Sequence, residues 1–182
     1  MLLFLTGYRG SGKSTIAPLI AELVNGDWVD TDELVELSAE KSISQIFAED
    51  GETEFRQLEH QAIRSVVGPT NDGSPLVISL GGGAITFANN RESIAGSGKT
   101  VYLRGTIDTL WQRINTDPVS GDKRPDLTDQ GGRAEVQQIL ALRSEIYEAN
   151  SDFQIDIDSL TPEAIAKAIV AWWDSTNSGP TP

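Results

Sequence analysis

The sequence predicts an α/β domain in which a parallel sheet is covered by helices on both faces. Short apolar runs typical of buried strands alternate along the 182-residue chain with stretches whose apolar residues recur about every 3.6 positions. A chain of this length fits one domain and is long enough to bury a substantial core. Strands that alternate with helices favour a parallel sheet, because each crossover connection places a helix on one of its faces.

Five segments are candidate strands. Three are clear apolar runs, the run near the C-terminus is weaker, and the short run DWVD is a further possibility. In chain order, the candidate strands are residues 2–6, 27–30, 75–80, 100–103 and 153–157.

Helical patterns lie between and after these runs. Residues 14–24 and 52–67 each carry apolar side chains on one face, and Pro18 falls early in the first of them. Thr161 is followed by Pro162 and an acidic residue, the order of N-cap, first position and first turn that is typical of a helix start. These helices are the predicted covering layers of the sheet.

Two segments have no apolar period. Residues 115–132 are rich in Asp, Gly and Pro, and loops of this length in a compact domain are usually mobile and functional. Residues 175–182, STNSGPTP, are expected to form a flexible C-terminal tail. The predicted domain therefore spans residues 1–174.

Composition excludes several classes of protein. The 14 Lys and Arg residues face 27 Asp and Glu residues, so the net charge of −13 repels nucleic acid and anionic membranes. Without cysteine the chain has no disulfide, thiolate metal site or cysteine nucleophile. The opening run MLLFL is too short for a signal peptide or a membrane span. We expect a cytoplasmic protein that binds neither nucleic acid nor membranes.

Two stretches end in glycine, lysine and a hydroxyl residue, and one of them fits a phosphate-binding loop. Residues 7–14 match G-x-x-x-x-G-K-S between a predicted strand and a predicted helix, the context that this motif requires. In the second stretch, residues 95–100, the first glycine of the motif would fall at position 93, which is Ser93. This stretch also runs into a strand rather than a helix, so it is predicted to be a plain turn. The predicted nucleotide-binding residues of the loop are Gly10, Ser11, Gly12, Lys13, Ser14 and Thr15.

The phosphate loop has a defined chemistry. Its glycines let backbone N–H groups turn toward the phosphates, and the helix N-terminus adds partial positive charge. Lys13 would reach the outer phosphates, and the Ser14 hydroxyl can ligate Mg²⁺.

The chain resembles the shikimate kinase family from its first strand to its last helix. The matching motifs are GYRGSGKST at 7–15, DTD at 30–32, Phe-Arg at 55–56, LGGG at 80–83, KRP at 123–125 and LRSEIYEA at 142–149. The resemblance implies a P-loop kinase fold with a doubly wound, five-stranded parallel sheet and a mobile lid at 115–132. It also implies a monomer that transfers the γ-phosphoryl group of ATP to the 3-hydroxyl of shikimate, with Mg²⁺ as cofactor, in aromatic amino acid biosynthesis.

The resemblance assigns the two aspartates of DTD to the reaction centre. It puts Asp30 near the metal and Asp32 on the acceptor hydroxyl, as its positioner or base. The residues alone leave open that an aspartate here caps the helix that follows. The strand at 75–80 lacks a Walker-B aspartate at its end, so metal binding is expected to depend on Ser14 and, through water, on Asp30.

The resemblance also implies that Arg56 and Arg143 bind the shikimate carboxylate, which a planar guanidinium can bind through two hydrogen bonds. Sequence spacing alone favours an ion pair between Arg56 and Glu52, and Arg143 could equally lie on the surface of a helix at 133–149.

Three consecutive glycines follow a strand and are predicted to line the acceptor site. Gly81, Gly82 and Gly83 expose N–H groups to a small polar ligand at the carboxyl end of the sheet, although a plain turn is the alternative.

In the lid, Arg124 is expected to cover the ATP phosphates and to neutralise charge in the transition state. The predicted catalytic residues are thus Lys13, Asp32 and Arg124. By resemblance, Arg113 stacks on adenine and Pro162 packs on the other face of the base.

Two rival functions remain open at this point. A gluconate kinase or another small-metabolite kinase would share the phosphate loop, and a nucleotide-binding regulator could keep the fold without turnover. His60, the single histidine, is predicted to be a surface residue.

Overall fold

A computed structural model describes residues 1–68, 73–116 and 131–177. Five parallel strands in these ranges form one sheet with the order β2-β3-β1-β4-β5. The strands are β1 (Leu2–Thr6), β2 (Asp27–Asp30), β3 (Leu76–Ser79), β4 (Gly98–Arg104) and β5 (Phe153–Asp156). The predicted five-stranded parallel sheet is confirmed, and all five candidate strands form.

Within the described residues, eight α-helices surround the sheet. They are α1 (Lys13–Leu23), α2 (Thr31–Ala39), α3 (Ile43–Glu49), α4 (Gly51–Val66), α5 (Ala88–Ile94), α6 (Ile107–Thr116), α7 (Gly132–Ala149) and α8 (Pro162–Asn177). A 3₁₀ turn at Ala84–Thr86 precedes α5. The turn predicted at 95–100 is shorter than expected: it occupies residues 95–97, because β4 already begins at Gly98.

Two predicted segment boundaries differ from those observed. Helix α6 ends at Thr116 and α7 begins at Gly132, so both ends of the predicted lid at 115–132 are helical. Residues 117–130 of the predicted lid lie outside the described residues. Helix α8 continues to Asn177, so the first three residues of the predicted tail are helical.

Successive side chains of β1 point to opposite faces of the sheet, and both faces are covered. Leu3 and Leu5 join the larger core cluster, to which α1, α6, α7 and α8 also contribute. Leu2 and Phe4 face the opposite way and pack in a cluster with side chains of α4 and α5. A strand with both faces buried reads as a continuous apolar run, which is the pattern of LLFLT.

Helices α2, α3 and α4 form a smaller assembly beside the sheet. Its apolar centre includes Val35 of α2, Ile46 of α3 and Phe55 of α4, all buried. Ser42 starts α3 with a capping box in which its hydroxyl accepts from the Gln45 N–H and the Gln45 side chain accepts from the Ser42 N–H. This assembly holds the first turns of α4 at the carboxyl edge of the sheet.

No helix in the described part of the chain is both long and apolar enough to cross a membrane.

Candidate active site

The phosphate loop connects the central strand β1 to α1. Gly12 is the N-cap of α1 and has φ of 90°, a left-handed conformation that glycine adopts without strain. A Cβ on Gly7 would lie 2.8 Å from the Leu103 carbonyl oxygen, so the start of the loop also requires glycine. Steric constraints therefore require glycine at both of these motif positions.

Lys13 is the central cation of the loop. Its Nζ donates to the carbonyl oxygens of Gly7, at 2.9 Å, and Tyr8, at 3.1 Å, and lies 3.4 Å from Ser11 Oγ. The side chain is almost buried. These neutral acceptors hold the ammonium group at the mouth of the loop, where the resemblance expects the outer phosphates.

Arg9 ties the same loop to α7. Its Nη2 donates to Oε1 of Glu135 at 2.8 Å, and Glu135 is fully buried. No local sequence pattern predicts this pair, because the two residues are 126 positions apart.

Asp30 lies at the end of β2 beside the phosphate loop. Its Oδ1 accepts from the backbone N–H of Asp32 at 2.9 Å, while its Oδ2 accepts from the hydroxyls of Ser14 at 2.6 Å and Ser79 at 2.7 Å. Asp30 therefore caps α2, the alternative that the residues left open, while its metal role stays a prediction. Ser79 was missed, and it stands at the end of β3, where a Walker-B residue would be sought.

These oxygens suit a hard cation. Hydroxyl and carboxylate oxygens are the ligands that Mg²⁺ prefers, and nucleotide phosphates commonly complete its shell. In the described residues, no group of three or more His, Asp or Glu side chains could hold a metal ion by itself. Ser14 and Asp30 supply oxygens of this kind next to the phosphate loop.

A cavity of about 590 Å³ opens over the phosphate loop at the carboxyl ends of the strands. The predicted site residues that line it are Gly10, Gly12, Lys13, Ser14, Thr15, Asp30, Asp32, Gly82, Arg113 and Pro162. Arg113 lies close to the loop, because its Nη1 is 3.6 Å from the position of a Cβ on Gly12. Its Nη2 donates to the Ile157 carbonyl at 3.2 Å.

The other predicted acceptor-site residues lie next to this cavity, around the three glycines. A Cβ on Gly81 would be 2.7 Å from Asp32 Oδ1. A Cβ on Gly83 would be 3.5 Å from Arg56 Nη1 and 3.4 Å from Arg143 Nη1. The glycines therefore keep the backbone close to two guanidinium groups and a carboxylate, which a plain turn would not require.

Arg56 is largely enclosed although it lies near the protein surface. Glu52 accepts from its Nε at 3.2 Å and its Nη2 at 3.0 Å, and Glu59 accepts from its Nη1 at 3.1 Å. The rings of Phe55 and Phe87 lie on the guanidinium, with centres 4.9 Å and 4.4 Å from Cζ. The ion pair with Glu52 that spacing favoured is present, and the same arginine also lies beside Gly83.

Arg56, Arg143 and the three glycines 81–83 form what we call the acid side of the cleft. Glu59 is the main residue of this side that sequence reasoning missed. The residue is 1% exposed, and burial raises the pKa of its carboxyl group, while the neighbouring Arg56 acts in the opposite direction. Asn90 Nδ2 is 3.4 Å from its Oε2, and Asn90 Oδ1 is 2.9 Å from His60 Nδ1. The expectation for His60 is thus wrong, because the ring is half-buried and bonded to Asn90.

Tyr147 supports the second guanidinium from within α7. Its hydroxyl donates to the Gly82 carbonyl oxygen at 2.5 Å. Burial raises the pKa of this phenol to about 12, and Arg143 beside it acts in the opposite direction. The motif LRSEIYEA thus places both Arg143 and Tyr147 against the glycine turn.

Arg124 lies outside the described residues, so its expected role stays a prediction. Arg104, at the end of β4, forms ion pairs with Asp156 and Glu148 at the surface.

The comparisons with known proteins agree with the motifs. The family model for shikimate kinase matches residues 9–174. A shikimate kinase of Rhodopirellula baltica is 43% identical over 154 residues, which are 85% of this chain and 80% of the relative. One from Chlorobium chlorochromatii is 37% identical and covers 87% of this chain and 83% of its own. A solved shikimate kinase from Acinetobacter baumannii in complex with shikimate has a TM-score of 0.87 at 27% identity and covers 98% of this chain and 95% of that one.

A parallel sheet, a phosphate loop at its central strand and a small polar cavity beside it define a P-loop kinase of small molecules. The chain belongs to the shikimate kinase family. The resemblance drawn from its motifs is confirmed.

Proposed function

We propose that the protein transfers the γ-phosphoryl group of ATP to the 3-hydroxyl of shikimate, giving ADP and shikimate 3-phosphate. One observation carries the proposal: Asp32 lies between a phosphate loop and a glycine turn that touches two guanidinium groups. A nucleotide and a small organic acid can therefore bind side by side at one edge of the sheet.

The phosphate side supplies positive charge and backbone N–H groups. Lys13 exchanges its neutral carbonyl partners for phosphate oxygens and neutralises charge that develops in the transition state. The N-terminus of α1 favours the same charge. Arg113 and Pro162, both at the rim of this cavity, are expected to hold the adenine base between them.

Ser14 and Asp30 would hold Mg²⁺, which neutralises phosphate charge when it is bound. Ser14 Oγ, free to rotate away from Asp30, offers one oxygen ligand, and Asp30 is expected to contact the ion through water. Ser79 keeps the Asp30 carboxylate facing the loop.

The acceptor side orients the hydroxyl and binds the acid. Arg56 and Arg143 converge on Gly83, which is the expected location of the shikimate carboxylate. Asp32, beside Gly81, accepts a hydrogen bond from the acceptor hydroxyl and directs its oxygen at the γ-phosphorus.

The charge distribution suits small anionic substrates. A cluster of Arg and Lys side chains within a chain of net charge −13 attracts ATP and a carboxylate locally, while the acidic surface repels polyanions. We expect a cytoplasmic monomer with no nucleic-acid or membrane partner.

A coupled assay of ADP release tests the proposal. With Mg²⁺ and ATP, ADP release should rise well above the ATP-only background when shikimate is added, and mass spectrometry should detect shikimate 3-phosphate. Gluconate at the same concentration should give no rise, and the variant Lys13→Met is the inactive control. ATP binding without phosphorylated product would instead support the nucleotide-binding regulator.

A further inference from the structure

We propose that Phe87 is a positioning residue that orients the Arg56 guanidinium for binding of the acceptor's carboxylate. The proposal rests on the proposed function, because it concerns how that acid site is held ready. It assigns a role to an aromatic ring that belongs to no motif of the sequence.

The contact is a stack of a cation on an aromatic face. Cζ of Arg56 lies 4.4 Å from the centre of the Phe87 ring and 4.9 Å from that of Phe55, so both rings border the guanidinium. Such contacts strengthen as water is excluded from the cation and the ring. The side chain of Arg56 is only 17% exposed, so its contact with the ring is largely shielded from water.

The two rings differ in what else they do. Phe55 is 4% exposed and packs in the core formed by α2, α3 and α4, so the fold itself requires it. Phe87 is 38% exposed and belongs to none of the core clusters of the described residues. Its contact with Arg56 is therefore the feature of the described structure that accounts for a large apolar ring at this place.

The backbone that carries Phe87 is held tightly. The preceding 3₁₀ turn is closed by hydrogen bonds from Thr86 to the Gly83 carbonyl, one from its N–H at 3.0 Å and one from its hydroxyl at 2.6 Å. Arg91 donates to the carbonyls of Ile85, at 3.1 Å, and Thr86, at 2.7 Å. The ring is thus attached to the same turn as Gly83, which itself touches Arg56.

Glu52 is the partner that draws Arg56 toward solvent. Its carboxylate accepts from Nε and Nη2 of Arg56 and is 63% exposed. Nη1, the atom nearest the Gly83 turn, donates to Glu59 and has a second N–H for the acceptor's carboxylate. The Phe87 ring keeps the guanidinium plane beside this turn against the pull of Glu52.

The test compares Phe87→Leu with Phe87→Tyr. Removal of the ring should raise the KM for shikimate about three- to tenfold, while kcat and the KM for ATP stay within about twofold. Tyrosine, which keeps the ring face, should retain a KM close to that of the original protein. Trp172→Leu removes a comparable ring stack, that with Phe153, on the far side of the sheet and should leave every kinetic constant unchanged.

A thermodynamic cycle separates this inference from the proposed function. In an Arg56→Met background, Phe87→Leu should cause no further loss of shikimate affinity measured by calorimetry. If Phe87→Leu leaves the KM for shikimate unchanged, raises both KM values equally, or weakens binding as much without Arg56, the inference is overturned. If Arg56→Met itself leaves shikimate affinity unchanged, the proposed acid site is wrong as well.

Discussion

The phosphate side and the acid side of the cleft hold their cations in different ways. On the phosphate side, Lys13 donates hydrogen bonds to the backbone carbonyls of its own loop, those of Gly7 and Tyr8. On the acid side, Arg56 is held by the carboxylates of Glu52 and Glu59. The first arrangement comes from one contiguous loop, whereas the second depends on side chains that α4 and the glycine turn bring together.

This difference has an energetic consequence. A triphosphate takes the place of the backbone carbonyls at Lys13 and forms charge-assisted hydrogen bonds with it. A substrate carboxylate at Arg56 instead meets a guanidinium that two carboxylates already contact. Glu52 is exposed and its ion pair is worth little, so it can leave, while the buried Glu59 stays. Loss of a cation should therefore affect catalysis on the phosphate side and acceptor binding on the acid side.

The largest expected effect is on the phosphate side. Lys13→Met should lower kcat by about 10³-fold or more, because transition-state charge loses its main partner, while shikimate binding stays within about twofold. Steady-state kinetics and calorimetry measure the two quantities, with Lys41→Met on the surface as the control. A variant that kept a tenth of the original kcat would contradict this view of the loop.

On the acid side, the expected effect is smaller and appears in a different constant. Arg56→Met should raise the KM for shikimate about 30- to 100-fold, the loss of a charged hydrogen-bonding group, with the KM for ATP nearly unchanged. Arg64→Met, an exposed arginine on the same helix, is the matched control. An equal rise in both KM values would show that the two sides are not separate.

Asp30, at the proposed metal site, should give a smaller effect than either of these cations. Asp30→Asn should raise the Mg²⁺ concentration needed for half-maximal rate about tenfold, since the carboxylate charge is lost. Asparagine caps helices about as well as aspartate, so the melting temperature should barely change. Rates at fixed ATP and varied Mg²⁺ measure this, and Asp27→Asn, exposed at the start of the same strand, should behave like the original protein.

The smallest expected effect concerns Glu59 and pH. Burial raises the pKa of this carboxyl group above its unfolded value, so the folded state binds the proton more tightly. The stability that this contributes is present at low pH and is lost as pH rises from the unfolded pKa, about 4.3, through the folded one.

The free energy of unfolding of the original protein should therefore fall relative to that of Glu59→Gln as pH rises from about 4.5 to about 7.5. Denaturant unfolding of both proteins at the two pH values measures the difference. If the stability of the original protein relative to Glu59→Gln instead stays constant or rises with pH, then Arg56, rather than burial, dominates the environment of Glu59.

The fold was largely predictable because the signals were local. All five candidate strands form: four of them contain short apolar runs, and the fifth is the short run DWVD. The seven-residue helices α3 and α5 were not predicted, because helices of that length gain their stability from packing rather than from a long periodic pattern.

The site was predictable in part. Motifs and resemblance named the loop, the aspartates, the glycines and the two arginines, and the described residues do bring these together. Ser79, Glu59 and Phe87 were missed, because each acts through a partner far away in sequence or on another element. The bond from Ser79 to Asp30, for example, spans 49 positions.

The sequence by itself determined the phosphate loop and the family, because a strand, a glycine loop and a helix start are encoded within about fifteen consecutive residues. Only the tertiary structure decided the acid side. There a helix, a 3₁₀ turn and a second helix must pack together before two arginines, a buried glutamate and an aromatic ring can meet, and the free energy of that packing is spread over residues that no local pattern connects.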